Sequence, residues 1–217
     1  MRRFRRRYYD VFSTFYDRFV ALHSRDKGGL ARRFLADQVA ARSCGSVLDI
    51  CTGTASLLSV LQEKVGCGGH VIGLDFSHGM LRVARKKTNQ FANIALVEAD
   101  AGCLPFAAVV FDAVTCSHAF YELKGEVRER ALGEIVRVLK PNGAFLMMEH
   151  DVPANPVVRL LFYLRLASMG AAQAVNFLRH EREELRAYFG TVTQIVAPAG
   201  KSKVLVCRKE ARFAAAV

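Results

Sequence analysis

A chain of 217 residues is long enough to bury one substantial core, and 52% apolar against 24% charged residues excludes a disordered polymer. The net charge of +11 points to anionic contacts, yet it is unevenly spread: five arginines stand within MRRFRRR, residues 1–7, interleaved with Phe4 and followed by Tyr8 and Tyr9. Such a head suits phosphates of a nucleic acid or an anionic membrane, or is simply a solvated basic end.

Along the chain, VFSTFYDRFVAL is broken by Asp17 and Arg18, so it makes no clean secretory core. FLADQVAAR then sets Phe34, Leu35, Val39 and Ala40 near helical spacing, making residues 1–43 a helical head. From residue 44 to 151 strands and helices alternate. SVLDI reads as a strand, ASLLSVLQEKV as a helix, HVIGLD as a second strand, and Ser77 as the N-cap of HGMLRVARKK. NIALVEAD and FDAVTCSH give two more strands. EVRERALGEIVRVL is a helix stopped at Lys140-Pro141-Asn142-Gly143, and GAFLMMEHD is a fifth strand. Residues 154–178 read as one or two apolar helices and 181–189 as a charged helix, all within 152–190. The apolar face of the former (Val157, Val158, Leu160, Leu161, Leu164) suits covering an apolar substrate, lying on a bilayer or packing on the sheet. TVTQIVAP and KSKVLVCRK form a closing antiparallel pair in 191–209. The rhythm predicts one α/β domain with a mostly parallel sheet covered by helices on both faces.

The longest greasy region, VVRLLFYLRLASMGAAQAVNFL, carries Arg159 and Arg165 and falls short of a transmembrane span. Six cysteines include no C-x-x-C pair, which predicts reduced thiols, no metal centre and a cytoplasmic protein.

In an open α/β sheet ligands bind beyond the carboxyl ends of the strands. That rule selects Asp49 to Ala55, Asp75 to Ser77, Asp100 to Gly102 and Ser117 to Tyr121. Asp75 stands about twenty residues beyond the first turn, where a carboxylate accepts both hydroxyls of a ribose. The turn itself, CTGTA, has one glycine where a pyrophosphate needs several. An adenosine joined to an amino acid has no phosphate, and S-adenosyl-L-methionine is such a ligand.

VLDICTGTASLL resembles motif I of the class I S-adenosylmethionine-dependent methyltransferases. GLDFSHGML, ALVEADAGCLPF, FDAVTCSHAFYEL and VLKPNGAFLMMEHD resemble the succeeding motifs in order. The nearest likeness is to the ubiquinone/menaquinone-biosynthesis C-methyltransferase subgroup, covering residues 47–151, with FYD at 15–17 similar to that subgroup's head. The resemblance implies a Rossmann-like, doubly wound, seven-stranded sheet with an antiparallel edge strand. It implies that Asp49, Cys51, Gly53 and Ala55 line the methionine part of the cofactor. Asp75 would hold the ribose, Phe76 and Met80 would pack on adenine, and Asp100 with the backbone of Ala101 would meet its amino edge. Ser117 and His118 would lie below the sulfonium, with Tyr16 closing over it. Cys51 and Ala55 depart from the family, standing where it has glycine.

A sulfonium methyl needs chiefly in-line positioning and exclusion of water. His118 and Tyr121 are the candidate catalytic groups, His118 balanced against a wall role, with Glu149, His150 and Asp151 at the next strand end. Glu122 reads as a solvated helix start. The expected function is methylation of a small, lipophilic, quinol- or phenol-like acceptor, with peripheral membrane contact through the arginines. The alternatives are methylation of RNA, although SHAFYEL stands where an amine-methylating Asn-Pro-Pro-Tyr-like motif would be, and a non-catalytic, cofactor-binding regulatory protein.

Overall fold

The computed structural model describes residues 6, 8–10, 13, 14, 16, 29–40, 45–65, 68–151, 155–157, 159–161, 163, 172–198 and 202–209. Of the arginine-rich head only Arg6 is among them; Arg2, Arg3, Arg5 and Arg7 lie outside, as do Phe15, Asp17, Cys44 and Cys67.

Helix α1 (Leu30–Ala40) buries Ala31, Leu35, Ala36 and Val39, close to the predicted face. Strand β1 (Ser46–Ile50) has all but its first residue buried, as a strand covered on both faces must. After it come α2 (Leu58–Val65), β2 (His70–Asp75), α3 (His78–Thr88), β3 (Ile94–Glu98) and β4 (Phe111–Ser117). Helix α4 (Glu126–Val138) leads into β5 (Leu139–His150), then α5 (Ala172–Arg186), β6 (Thr191–Val196) and β7 (Ser202–Arg208). The sheet order is β3-β2-β1-β4-β5-β7-β6. The first five strands run parallel, β7 is antiparallel to both β5 and β6, and β6 is outermost. One face packs Leu35, Leu58, Leu61 and Ala84 from α1, α2 and α3. The other packs Leu132, Ile135, Phe177 and Leu185 from α4 and α5. The doubly wound α/β sheet expected from the motifs is present.

Three local differences have physical causes. The helix expected from Ala55 begins at Leu58, because the preceding residues are spent in a tight turn. Lys140-Pro141-Asn142-Gly143 does not separate helix from strand as a loop. The chain enters β5 at Leu139 opposite Phe111, and these residues take up a register shift before Ala144 pairs with Ala113. Lastly, α5 spans residues expected to divide between an apolar and a charged helix. Its apolar stripe, with Phe177, Leu178 and Leu185 buried, continues through the charged stretch. Val158 and Leu164 of the expected apolar helices lie outside the described residues.

Candidate active site

The order 3-2-1-4-5 puts its switch point between β1 and β4, and the carboxyl end of β1 there carries the turn CTGTA. Cys51, Gly53 and Ala55 all have left-handed backbone, with φ of 54°, 58° and 63°. Glycine adopts this region freely; other residues pay roughly 1–3 kcal/mol each. Thus the alternating-glycine geometry persists at two positions that have lost glycine. Surrounding bonds hold it: Thr52 N–H donates to Leu74 O, and Ala55 N–H to Thr52 O, both at 3.0 Å. A Cβ on Gly53 would meet nothing within 4 Å, so open space lies over the turn.

Two buried carboxylates brace this turn. Asp49 accepts from the hydroxyls of Thr52 and Thr115, each at 2.7 Å. Burial pushes its carboxyl up to about 7 against those two bonds, and the nearby Asp75 charge adds to the rise. Asp75 accepts from Gly53 N–H at 2.8 Å on one oxygen and from Ser77 N–H at 2.9 Å on the other. It is 6% exposed, and burial lifts its carboxyl to about 6. Each oxygen retains a further lone pair, so the pair of acceptors a ribose diol needs is there, held by the turn itself. Ser77 is the N-cap foreseen from sequence, its hydroxyl accepting from Met80 N–H at 3.2 Å. Met80 and Ala101 are buried, Phe76 is half-buried, and Asp100 accepts from Gly102 N–H at 2.9 Å. Asp49, Asp75 and Asp100 therefore close three adjacent strands along the carboxyl edge of the sheet.

The ends of β4 and β5 have another character. Ser117 pairs with Met148, and His118 follows in left-handed backbone, φ 51°, its N–H donating to Met148 O at 2.8 Å. The His118 ring lies 4.6 Å from that of His150, and its Nε2 is 3.4 Å from Ser202 Oγ; Nδ1 is buried without a hydrogen-bond partner. Burial, reinforced by His150 and Arg32, holds this imidazole well below its usual range, hence neutral near pH 7. Tyr121, half-buried in a short 3-10 turn (Phe120–Glu122), has its ring 6.2 Å from His150. Glu149 supports the turn by accepting from Phe120 N–H at 3.0 Å and Tyr121 N–H at 3.4 Å, while Oε2 has no partner. Burial and the neighbouring Glu181 push this carboxyl well above its usual range. Glu181 is itself buried against Lys203 of β7.

The head supplies residues that sequence reasoning missed. Asp10 accepts from Ser77 Oγ at 2.7 Å and Gly79 N–H at 2.8 Å, capping α3 from outside. A Cβ on Gly79 would lie 2.6 Å from Asp10 Cα, so the head's close approach requires glycine there. Tyr9 meets Phe76 edge to face at 5.8 Å, and its hydroxyl donates to Glu122, which is half-buried and partnered instead of solvated as expected. Arg6 pairs with Glu98 at the end of β3. These contacts tie the described residues of the head to the ends of β3 and β2 and to the 3-10 turn after β4. Tyr16 belongs to the same helical head and is half-buried. The one sequence signal for this docking was Gly79, a glycine in the first turn of a helix.

The profile of the ubiE/COQ5 methyltransferase family matches residues 5–185. The chain belongs to the ubiE/COQ5 methyltransferase family. The methyltransferase recognition made on the motifs, and the fold that came with it, are borne out. Over 147 residues it is 37% identical to a demethylmenaquinone methyltransferase of Staphylococcus carnosus, covering 68% of this chain and 60% of that relative. Over 159 residues it is 35% identical to the protein of that name from Staphylococcus saprophyticus, covering 72% and 67%. Against its first curated relative, then, the aligned region spans under two thirds of the length. A SAM-dependent methyltransferase from Aquifex aeolicus superposes with a TM-score of 0.61 at 18% identity, covering 88% of this chain and 96% of that one, a likeness of fold.

Proposed function

We propose that this chain transfers a methyl group from S-adenosyl-L-methionine to a small, lipophilic, quinol-like acceptor, of the kind named in its staphylococcal relatives. The observation that carries the reading is the β1 turn, whose backbone is left-handed at Cys51, Gly53 and Ala55 and is tied to Asp75 through Gly53 N–H. The donor set fits this cofactor: a carboxylate with both oxygens oriented, a turn with open space above Gly53, and no run of glycine amides for a pyrophosphate. The cofactor supplies an electrophilic methyl group on a sulfonium sulfur.

The residues of the chain do the rest. Asp75 holds the ribose, Asp49 fixes the turn, Phe76 and Met80 flank the adenine, and Asp100 with Ala101 reads its edge. Ser117 and His118 form the floor beneath the reacting centre. His118 is neutral and accepts a hydrogen bond from the acceptor hydroxyl as the nucleophile gains electron density, with the His150 ring tilted beside it. Tyr121 orients the acceptor from the 3-10 turn that Glu149 supports. Tyr9, Asp10 and Tyr16 of the head exclude water. The arginine-rich head holds the protein against an anionic membrane at the cytoplasmic face, where a lipophilic acceptor resides.

Purified protein with methyl-labelled cofactor and reduced demethylmenaquinone tests this reading. Label in the quinone product supports it; cofactor binding without transfer to any quinol or phenol would favour the regulatory alternative.

A further inference from the structure

The described residues among 155–163 present Val157, Leu160 and Leu161 to solvent at 66, 58 and 61% exposure. They are helical from 156 onward, and Arg159 N–H donates to Asn155 O at 2.9 Å. Large apolar side chains this exposed on one helical turn mark a contact surface. The charge around them identifies the partner. From Val152 to His180 the sequence holds Arg159, Arg165 and Arg179 but no aspartate or glutamate. Beside the apolar turn a cavity of about 460 Å³ is lined by Arg159, Tyr163, Leu178, Arg179 and Lys203. The Arg179 guanidinium lies 4.6 Å over the Tyr163 ring, which orients its N–H groups as a rigid fork. Lys203 is neutralised by Glu181, so Arg159 and Arg179 carry the cavity's excess charge.

We propose that this surface docks on an anionic phospholipid bilayer, with Val157, Leu160 and Leu161 entering the acyl boundary and Arg159 and Arg179 holding a lipid phosphate in the cavity. The proposal rests on the lipophilic-acceptor reading and adds the surface by which the chain meets the bilayer. Lys203, on the cavity wall, pairs with Glu149 in the sheet. Its neighbour Ser202 pairs with His150 and lies 3.4 Å from His118 Nε2. Lys203, like Leu205, faces the α5 side of the sheet and Ser202, like Val204, the α1 side, so the cavity and His118 lie on opposite faces and come near each other only at the carboxyl end of β5. No helix among the described residues is long and apolar enough to cross a membrane.

Flotation of the full chain with phosphatidylcholine vesicles, with and without phosphatidylglycerol, tests this. The parent should bind only the anionic vesicles. Leu160→Asp with Leu161→Asp, both at exposed positions, should weaken binding at least about tenfold. Arg159→Gln and Arg179→Gln should each cost about fivefold. Methylation of a water-soluble short-chain quinol should be unchanged in all of them, while methylation of a long-chain quinol in vesicles falls in step with binding. Vesicle binding that survives both pairs of substitutions and disappears when the head arginines become glutamine would overturn the proposal, as would a dimer in solution dissociated by Leu160→Asp. Absent transfer to the soluble quinol with vesicle binding behaving as expected would sink the acceptor reading and leave the surface standing.

Discussion

The two halves of the sheet's carboxyl edge are finished differently. Beyond β1 and β2, Asp49 takes two hydroxyl donors and Asp75 two backbone amides. Beyond β4, β5 and near β7, His118 Nδ1, Glu149 Oε2 and Glu181 Oε2 are buried with no hydrogen-bond partner. An unmet buried polar group costs about 1–3 kcal/mol, so the second half is held at a cost which the first avoids. On the proposed function, the contrast separates two tasks. A binding half works best rigid and complete before its ligand arrives; a reacting half must keep lone pairs and protons uncommitted.

Removing Asp75 strikes the finished half hardest. Asp75→Ala should weaken cofactor binding roughly tenfold to a thousandfold in calorimetry, since hydrogen bonds to a charged group contribute about 1.5–3 kcal/mol each. Because Asp75 is buried and bridges Gly53 N–H and Ser77 N–H, the same change should also lower stability, an effect its strand-end position alone did not suggest. In the parent, binding draws on the ionised carboxylate, whose ligand-free pKa is about 6. Affinity should therefore hold above pH 6 and fall toward tenfold per pH unit below it. A flat affinity from pH 7 to pH 5 would break the ribose assignment.

In the reacting half, His118→Asn should lower methyl transfer roughly a hundredfold while leaving cofactor affinity within about twofold. Equal losses in both would make His118 part of the binding wall and erase the division of labour.

Glu149→Gln sharpens the comparison through stability alone. The Glu149 carboxyl is raised when folded, so the parent has this group's full stability below about pH 4.5 and loses it as pH rises toward the folded value. Glutamine keeps the acceptor for Phe120 and Tyr121 without that loss. The variant should gain on the parent by more than about 1 kcal/mol between pH 5 and pH 8, read by urea denaturation at each pH. No change in the difference would mean that Glu149 is ionised and paired.

The smallest effect concerns strain. Ala55→Gly should stabilise the protein by about 0.5–1 kcal/mol, because relief at φ 63° slightly exceeds the added freedom of the unfolded chain. A loss of more than that would show the methyl group to be needed as packing.

Residues whose roles are local were legible from sequence. Apolar runs gave the parallel strands, Ser77 its cap, and the spacing of Asp75 behind the turn its position at the next strand end. The carboxyl-edge rule brought Asp49, Asp75, Asp100 and Ser117 together without further information. What escaped depends on partners far apart in the chain: Asp10 with Gly79, Glu149 with Phe120 and Tyr121, His118 with Ser202. The left-handed backbone at Cys51 and Ala55 was signalled only by the resemblance, which has glycine at both places, since a small side chain carries no signature of φ of its own. Pro141 and Gly143 gave a true breaker signal with two outcomes, a loop or a register shift, between which only pairing across the sheet decides.

The docking of Asp10 on Ser77 and Gly79 has a consequence for time. On the proposed function, a head docked beside the cofactor turn acts as a gate that association and release share. Loosening the gate speeds both and leaves their ratio nearly fixed. Asp10→Ala should thus shorten the residence time of bound cofactor several-fold in stopped-flow displacement, with the equilibrium constant moving far less.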